Sequence, residues 1–206
     1  MRTQTKELQT GLTPANALQI LKDGNQRFIN NLKANRNLLQ QVNETAEGQY
    51  PFAVILSCID SRTSAELIFD QGLGDIFSVR IAGNFVNEDI LGSMEFACKA
   101  AGSKLVVVLG HSACGAVKGA CDDVKLGNLT AMLAKIRPAV DRAKTSGARN
   151  SSNAEFVQEV ADINVSIAMD QIRERSPILK EMEEKGEIDI VGGMYDVGSG
   201  EVTFLD

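Results

Sequence analysis

The sequence has no tryptophan, a single histidine and no Cys-x-x-Cys pair among its four cysteines. The last of these absences argues against a thiol redox protein, whose reactive cysteines are commonly spaced two residues apart. Positive charge is also in deficit, with 21 Lys and Arg against 27 Asp and Glu and a formal net charge of -6. Duplex binding needs clustered positive charge to displace counterions, so a nucleic-acid partner is not expected. The basic residues are scattered, leaving no polybasic patch for a membrane surface. No run approaches the roughly 20 apolar residues of a spanning helix. The opening MRTQTKELQTGLT lacks the apolar stretch of a secretory signal. These features predict a cytoplasmic protein. In a reducing compartment Cys58, Cys98, Cys114 and Cys121 are thiols, nucleophiles or metal ligands more readily than disulfides.

What is present reads as one unit of the α/β class, with 206 residues of which 44% are hydrophobic. Residues 1–12 are polar and read as loose. Thr13-Pro14 starts a helix, with a hydroxyl cap and a proline in the first turn. Leu18, Leu21, Phe28 and Leu32 recur at helical spacing after it. Residues 33–50 read as a polar surface connection. Phe52 to Ser57 is a short, continuous apolar run, as in a strand buried on both faces. Thr63-Ser-Ala-Glu66 fits a capping box opening a short helix. Further strands are expected at 76–81, 104–110, 188–194 and 201–205, the last antiparallel at an edge. Helices are expected from Asn87 to about Ala101, near 114–121 and 128–144, from the capping box Ser152-Asn-Ala-Glu155 to near Ser176, and from Pro177 to Gly186. Strands alternating with helices imply a mostly parallel sheet, which binds ligands beyond the carboxyl ends of its strands.

Cys58 and His111 fall at two such ends. A lone histidine is more often packed or at the surface than a ligand, and a lone cysteine is more often a buried thiol. Context changes both readings. His111 and Cys114 are separated by two small residues directly after the strongest strand, a spacing that lets both side chains turn to one point. Zinc prefers nitrogen and thiolate donors in a tetrahedron, and Cys58 is the natural third ligand. Three protein ligands leave one position for water or an exchangeable carboxylate, as a catalytic site requires. Asp60 and Arg62 follow Cys58 at alternate positions. Charges just beyond a core strand are costly unless paired or functional. Cys98 and Cys121 lie among apolar residues and read as inert thiols.

Cys58-x-Asp60-x-Arg62 followed by His111-x-x-Cys114 resembles the β-class carbonic anhydrases. The resemblance extends through Gly24-Asn-Gln-Arg-Phe28, Arg80-Ile-Ala-Gly-Asn84, Gly110-His-Ser-Ala-Cys-Gly115 and Tyr195-Asp-Val-x-x-Gly200. It implies a parallel sheet of order 2-1-3-4 with an added antiparallel edge strand, flanked by helices. It also implies a helical arm and connection over 1–50, a zinc-binding core over 51–206, and a homodimer or a dimer of dimers. The implied activity is reversible hydration of carbon dioxide to bicarbonate on one Zn2+ per subunit. Asp60, anchored by Arg62, would orient the nucleophile; in a closed state Asp60 itself would bind the metal. Phe85, Val86, Phe96 and Gly115 are the implied substrate-pocket residues. Some members carry a tryptophan three residues before the first ligand as part of an inhibitory bicarbonate site; Ile55 stands there, so that regulation is not expected. Hydrolysis of carbonyl sulfide or carbon disulfide on the same scaffold, and a zinc-binding homologue without turnover, are the competing readings.

Overall fold

The structure, a computed structural model, describes residues 3–205. Its centre is a five-stranded sheet of order β2-β1-β3-β4-β5. The strands are β1 (Ala53–Ser57), β2 (Ile76–Arg80), β3 (Leu105–His111), β4 (Asp189–Tyr195) and β5 (Val202–Phe204). The first four run parallel, and β5 pairs antiparallel with β4 at the edge. β1 and β3 are buried at every position, which is why their sequences are continuous apolar runs rather than alternating ones.

Ten helices accompany the sheet among the described residues: α1 (Lys6–Gly11), α2 (Pro14–Ile29), α3 (Leu38–Thr45), α4 (Ala65–Ile68), α5 (Glu88–Glu95), α6 (Gly115–Cys121), α7 (Gly127–Leu133), α8 (Arg137–Arg142), α9 (Ala154–Arg175) and α10 (Pro177–Glu184). α5 runs into a π-helical turn at Phe96–Ala100, and the chain then reverses at Gly102 in the left-handed region. α2 starts as expected, with Thr13 accepting from Asn16 N–H and proline in the first turn. Its Gly24 lies so close to α4 that a Cβ would stand 1.8 Å from Phe69 O. Only glycine permits that approach. The adjacent Asn25 is buried and donates to Ile68 O and Gly200 O while accepting from Val202 N–H. One side chain thereby ties α2 to α4 and to the β4–β5 turn.

Several expectations are corrected. Residues 3–12 are not loose: α1 forms, and Gln9 docks it by donating to Pro51 O and Ala101 O. The connection 33–50 contains α3, capped by Asn37, whose Leu38, Leu39 and Val42 face solvent. Leu32 lies beyond α2 and is exposed, so the apolar spacing overran the helix end at Asn30. The helical region 128–144 is split into α7 and α8 around Ile136, which is fully buried. α9 is capped by Asn153, which accepts from Phe156 N–H, rather than by Ser152.

Candidate metal centre

β1 and β3 are neighbours, and the chain leaves them in opposite directions, to β2 on one side and to β4 on the other. That is the switch point at which a parallel sheet opens a crevice. Cys58 follows Ser57 at the end of β1, and His111 is the last residue of β3. Cys114 sits immediately before α6. Ala113, between the two later residues, has a φ of 55°, a left-handed conformation that costs a non-glycine residue about 1–2 kcal/mol. The reversal there brings Cys114 back beside His111.

The three side chains converge. One ligand atom from each of Cys58, His111 and Cys114 lies within 4.8 Å of the other two, and all three residues are buried. The two Sγ atoms are 4.0 Å apart, against about 3.8 Å for two thiolates bound tetrahedrally to zinc at about 2.3 Å each. His111 Nδ1 lies 3.0 Å from Ser112 O. A carbonyl can only accept, so Nδ1 carries the proton and Nε2 the lone pair. Nε2 is buried and has no hydrogen-bond partner. A buried imidazole nitrogen without a partner, facing two thiols, is the donor set zinc takes. The pair Cys58–Cys114 favours charge on Cys58. The Cys114 thiol donates to Cys58 and outweighs the burial that opposes ionisation, while Cys114 itself is pushed up by that same bond and by burial.

Asp60 and Arg62 form a fork at the rim. Arg62 N–H and Nε–H both donate to Asp60 Oδ1, at 3.0 and 2.9 Å, and Nη2–H donates to Oδ2 at 2.8 Å. The guanidinium holds the Asp60 carboxyl well below the usual carboxylate range, against a smaller opposing effect of burial. The loop carrying Cys58 and Asp60 is itself tied down. Arg80 donates from Nε to Cys58 O at 2.9 Å and from Nη2 to Asp60 O at 2.6 Å. The Thr63 hydroxyl is directed to the same two carbonyls. The capping box expected at Thr63 therefore does not form; Ser64 precedes α4 and makes no side-chain cap.

Phe85 is buried in the apolar cluster that contains Cys58 and Cys114. Val86 is buried in a different cluster, with Val54 and Leu56 of β1. Gly115 opens α6 with open space where a side chain would project. Phe96 is exposed and meets Phe77 of β2 edge-on. Cys98 and Cys121 stand outside the ligand cluster. Burial pushes both thiols up, Cys98 to about 12.

Three groups about the site were not singled out from sequence. Ser112 anchors the ligand loop: its N–H donates to Tyr195 O, its hydroxyl donates to Asp196 Oδ2, and it accepts from Val197 N–H. Arg80 was read only as part of a motif. Asn164 of α9 donates to Gly83 O at 2.8 Å, and Gly83 N–H donates to Cys58 Sγ at 3.4 Å. The available signal for Asn164 was an amide on the apolar stripe of a long helix.

Known proteins with this arrangement are consistent with one another. Residues 53–202 match the family described as carbonic anhydrase. Carbonic anhydrase 2 of Mycobacterium tuberculosis is 38% identical over 201 residues, covering 94% of this chain and 93% of that protein. Among solved structures, the β-carbonic anhydrase CafA of Aspergillus fumigatus superposes with a TM-score of 0.72 at 28% identity, covering 93% of this chain and 90% of that one. A tetrameric β-carbonic anhydrase of Sordaria macrospora gives a TM-score of 0.69 at 25% identity, over 81% of this chain and 89% of that one. The family match takes in the four parallel strands and every residue of the converging cluster, so the chain belongs to the β-carbonic anhydrase family.

Proposed function

We propose that this protein catalyses the reversible hydration of carbon dioxide, with one zinc ion held by Cys58, His111 and Cys114. The observation that carries this reading is the buried, partnerless Nε2 of His111 facing two thiols at tetrahedral spacing, beside an ionised carboxylate. Zinc bound there would lower the pKa of water and polarise a carbonyl oxygen.

The chain's own residues supply position and charge. Asp60 Oδ1 already accepts two hydrogen bonds from Arg62, whereas Oδ2 accepts one. A carboxylate oxygen has two lone-pair directions, so Oδ2 keeps one for the reacting water. Arg62 fixes the rotamer and keeps Asp60 a pure acceptor, which orients the nucleophile. Phe85, and with it Val86, Phe96 and Gly115, are proposed to bound the space for carbon dioxide. The only histidine is committed to the metal, so the released proton passes to water or buffer. The fork between Asp60 and Arg62 supports a role for Asp60 in orienting the nucleophile over the closed arrangement in which Asp60 would bind the metal.

We further propose residues 1–50 as an arm and 51–206 as the catalytic core of a single domain. The exposed Leu8, Leu32, Leu38, Leu39 and Val42 of the arm fit burial against a second copy in a homodimer or a dimer of dimers. No helix among the described residues is long and apolar enough to cross a membrane, and a cytoplasmic location is proposed.

The test is metal analysis of freshly prepared protein with stopped-flow hydration assays from about pH 6 to 9, where metal-activated water titrates. One zinc per chain with turnover is expected. A metal-free, inactive protein would overturn the reading, and turnover of carbonyl sulfide without carbon dioxide hydration would replace it.

A further inference from the structure

We propose that Asn164 is a positioning residue for the metal centre, anchoring the backbone turn at Gly83 so that the Gly83 N–H draws charge out of the Cys58 sulfur. The proposal rests on the zinc-enzyme reading above. Four observations converge on it. Asn164 is 2% exposed and shares the buried stripe of α9 with Val157, Val160, Ala161 and Ala168. An amide there is costly unless it is hydrogen-bonded, and the bond it makes is to Gly83 O, 81 residues away in sequence, at 2.8 Å. The same residue's N–H, in the preceding peptide plane shared with Ala82, is directed at Cys58 Sγ at 3.4 Å. Gly83 itself has a φ of 81°, and a Cβ on it would lie 2.4 Å from Cδ1 of the fully buried Ile136. The turn is therefore anchored by Asn164 through the Gly83 carbonyl and packed against Ile136.

The chemical consequence follows from the ligand set. Two thiolates donate more charge than imidazoles and weaken the Lewis acidity that a catalytic zinc needs. A hydrogen bond to one sulfur removes part of that charge, as partners outside the ligand set generally tune a metal. Asn164 touches neither substrate nor metal; it acts by holding the donor in place.

The test compares wild type with Asn164→Leu, which keeps the side-chain volume and removes the donor. Both are loaded with cobalt(II) and read by the thiolate-to-metal charge-transfer absorption, and both are assayed with zinc at full occupancy. The variant should show that absorption displaced to longer wavelength and a kcat reduced about tenfold to a hundredfold, with KM little changed. A folded variant with an unmoved absorption and normal kcat overturns the proposal, however much thermal stability it loses, because a purely structural asparagine predicts that result. Should the variant not fold, the wild type loaded with 113Cd answers the question: scalar coupling between cadmium and the assigned Gly83 amide proton supports the bond, and its absence overturns it. Wild type that takes up cobalt without any thiolate absorption would instead sink the metal centre itself, which separates the two failures.

Discussion

Replacing Asp60 by asparagine separates orientation from metal binding. In the native fork Oδ1 accepts from two Arg62 donors and Oδ2 from a third. An amide keeps one acceptor oxygen and turns a donor toward either Arg62 or the reacting water, so one of those interactions becomes repulsive. The fork lies at the rim, with the Arg62 side chain half exposed, and exposed ion pairs add little to stability. The melting temperature should therefore hardly move, and zinc content should stay at one per chain because no ligand is touched. Turnover should fall by about a hundredfold or more, within the range that a positioned proton-handling group contributes. The pH dependence sharpens this. The Asp60 carboxyl is held well below the usual carboxylate range, so the stabilisation of its anion is complete above its unfolded pKa of about 3.9 and is lost only as pH falls through the lower folded value. Asp60 thus stays ionised throughout the neutral range, and any loss of wild-type activity near neutral pH must come from another event. Stopped-flow hydration with parallel metal analysis reads all of this. Asp60→Asn with wild-type kcat/KM refutes the orienting role, and loss of zinc in proportion to loss of activity shows that Asp60 serves binding instead.

Other perturbations reach the scaffold. Ile136→Ala removes a fully buried side chain beside Gly83 and should cost about 2–5 kcal/mol in urea unfolding; a cost under about 1 kcal/mol would mean that the site collapses freely. Arg36→Met breaks a buried pair with Asp70, whose side chains are 7% and 5% exposed, and should cost about 3 kcal/mol. Burial works to raise the Asp70 pKa, but bonds from Arg27, Ala34 N–H and Arg36 outweigh it and leave it lowered. That stabilisation is present above the unfolded carboxylate pKa and fades as pH falls through the folded one, so the deficit of the variant should shrink in acid unfolding; a deficit constant with pH would refute the pairing. Stripping the metal with a chelator should lower the melting temperature, since free zinc at a hundred times its Kd adds about 2.7 kcal/mol, and an unchanged transition would deny a bound ion.

The sheet and the convergence of Cys58, His111 and Cys114 were legible because each rests on a short-range rule. β1 and β3 are apolar at consecutive positions since both of their faces are covered, and such runs announce themselves without knowledge of the partner strands. Cys58 and His111 of the converging cluster stand where those runs stop, and Cys114 follows after a tight turn. Helix bounds were less legible. Gln9 docks α1 through carbonyls of Pro51 and Ala101, and a polar segment of six residues carries no periodicity that reveals such distant acceptors. α3 was hidden for the opposite reason: its Leu38, Leu39 and Val42 face outward, so no apolar stripe pointed to the core.

Thr63 shows why local rules fail at a site. Its hydroxyl stands three residues before Glu66 and fits a capping box, and in an isolated helix that use would compete only with water. Here two carbonyls take it instead, those of Cys58 and Asp60, both of which also accept from Arg80. A carbonyl oxygen has two lone pairs, and a second hydrogen bond to the Cys58 carbonyl is worth about 0.5–1.5 kcal/mol, comparable to the roughly 1 kcal/mol a helix cap supplies. Asn164 follows the same logic at longer range. In both cases a residue departs from the use its neighbours in sequence would assign, and in both the competing use terminates at the backbone around a metal ligand. Such departures are where the fold gives up a local preference to hold Cys58, and they locate the support of the centre more sharply than the ligands do.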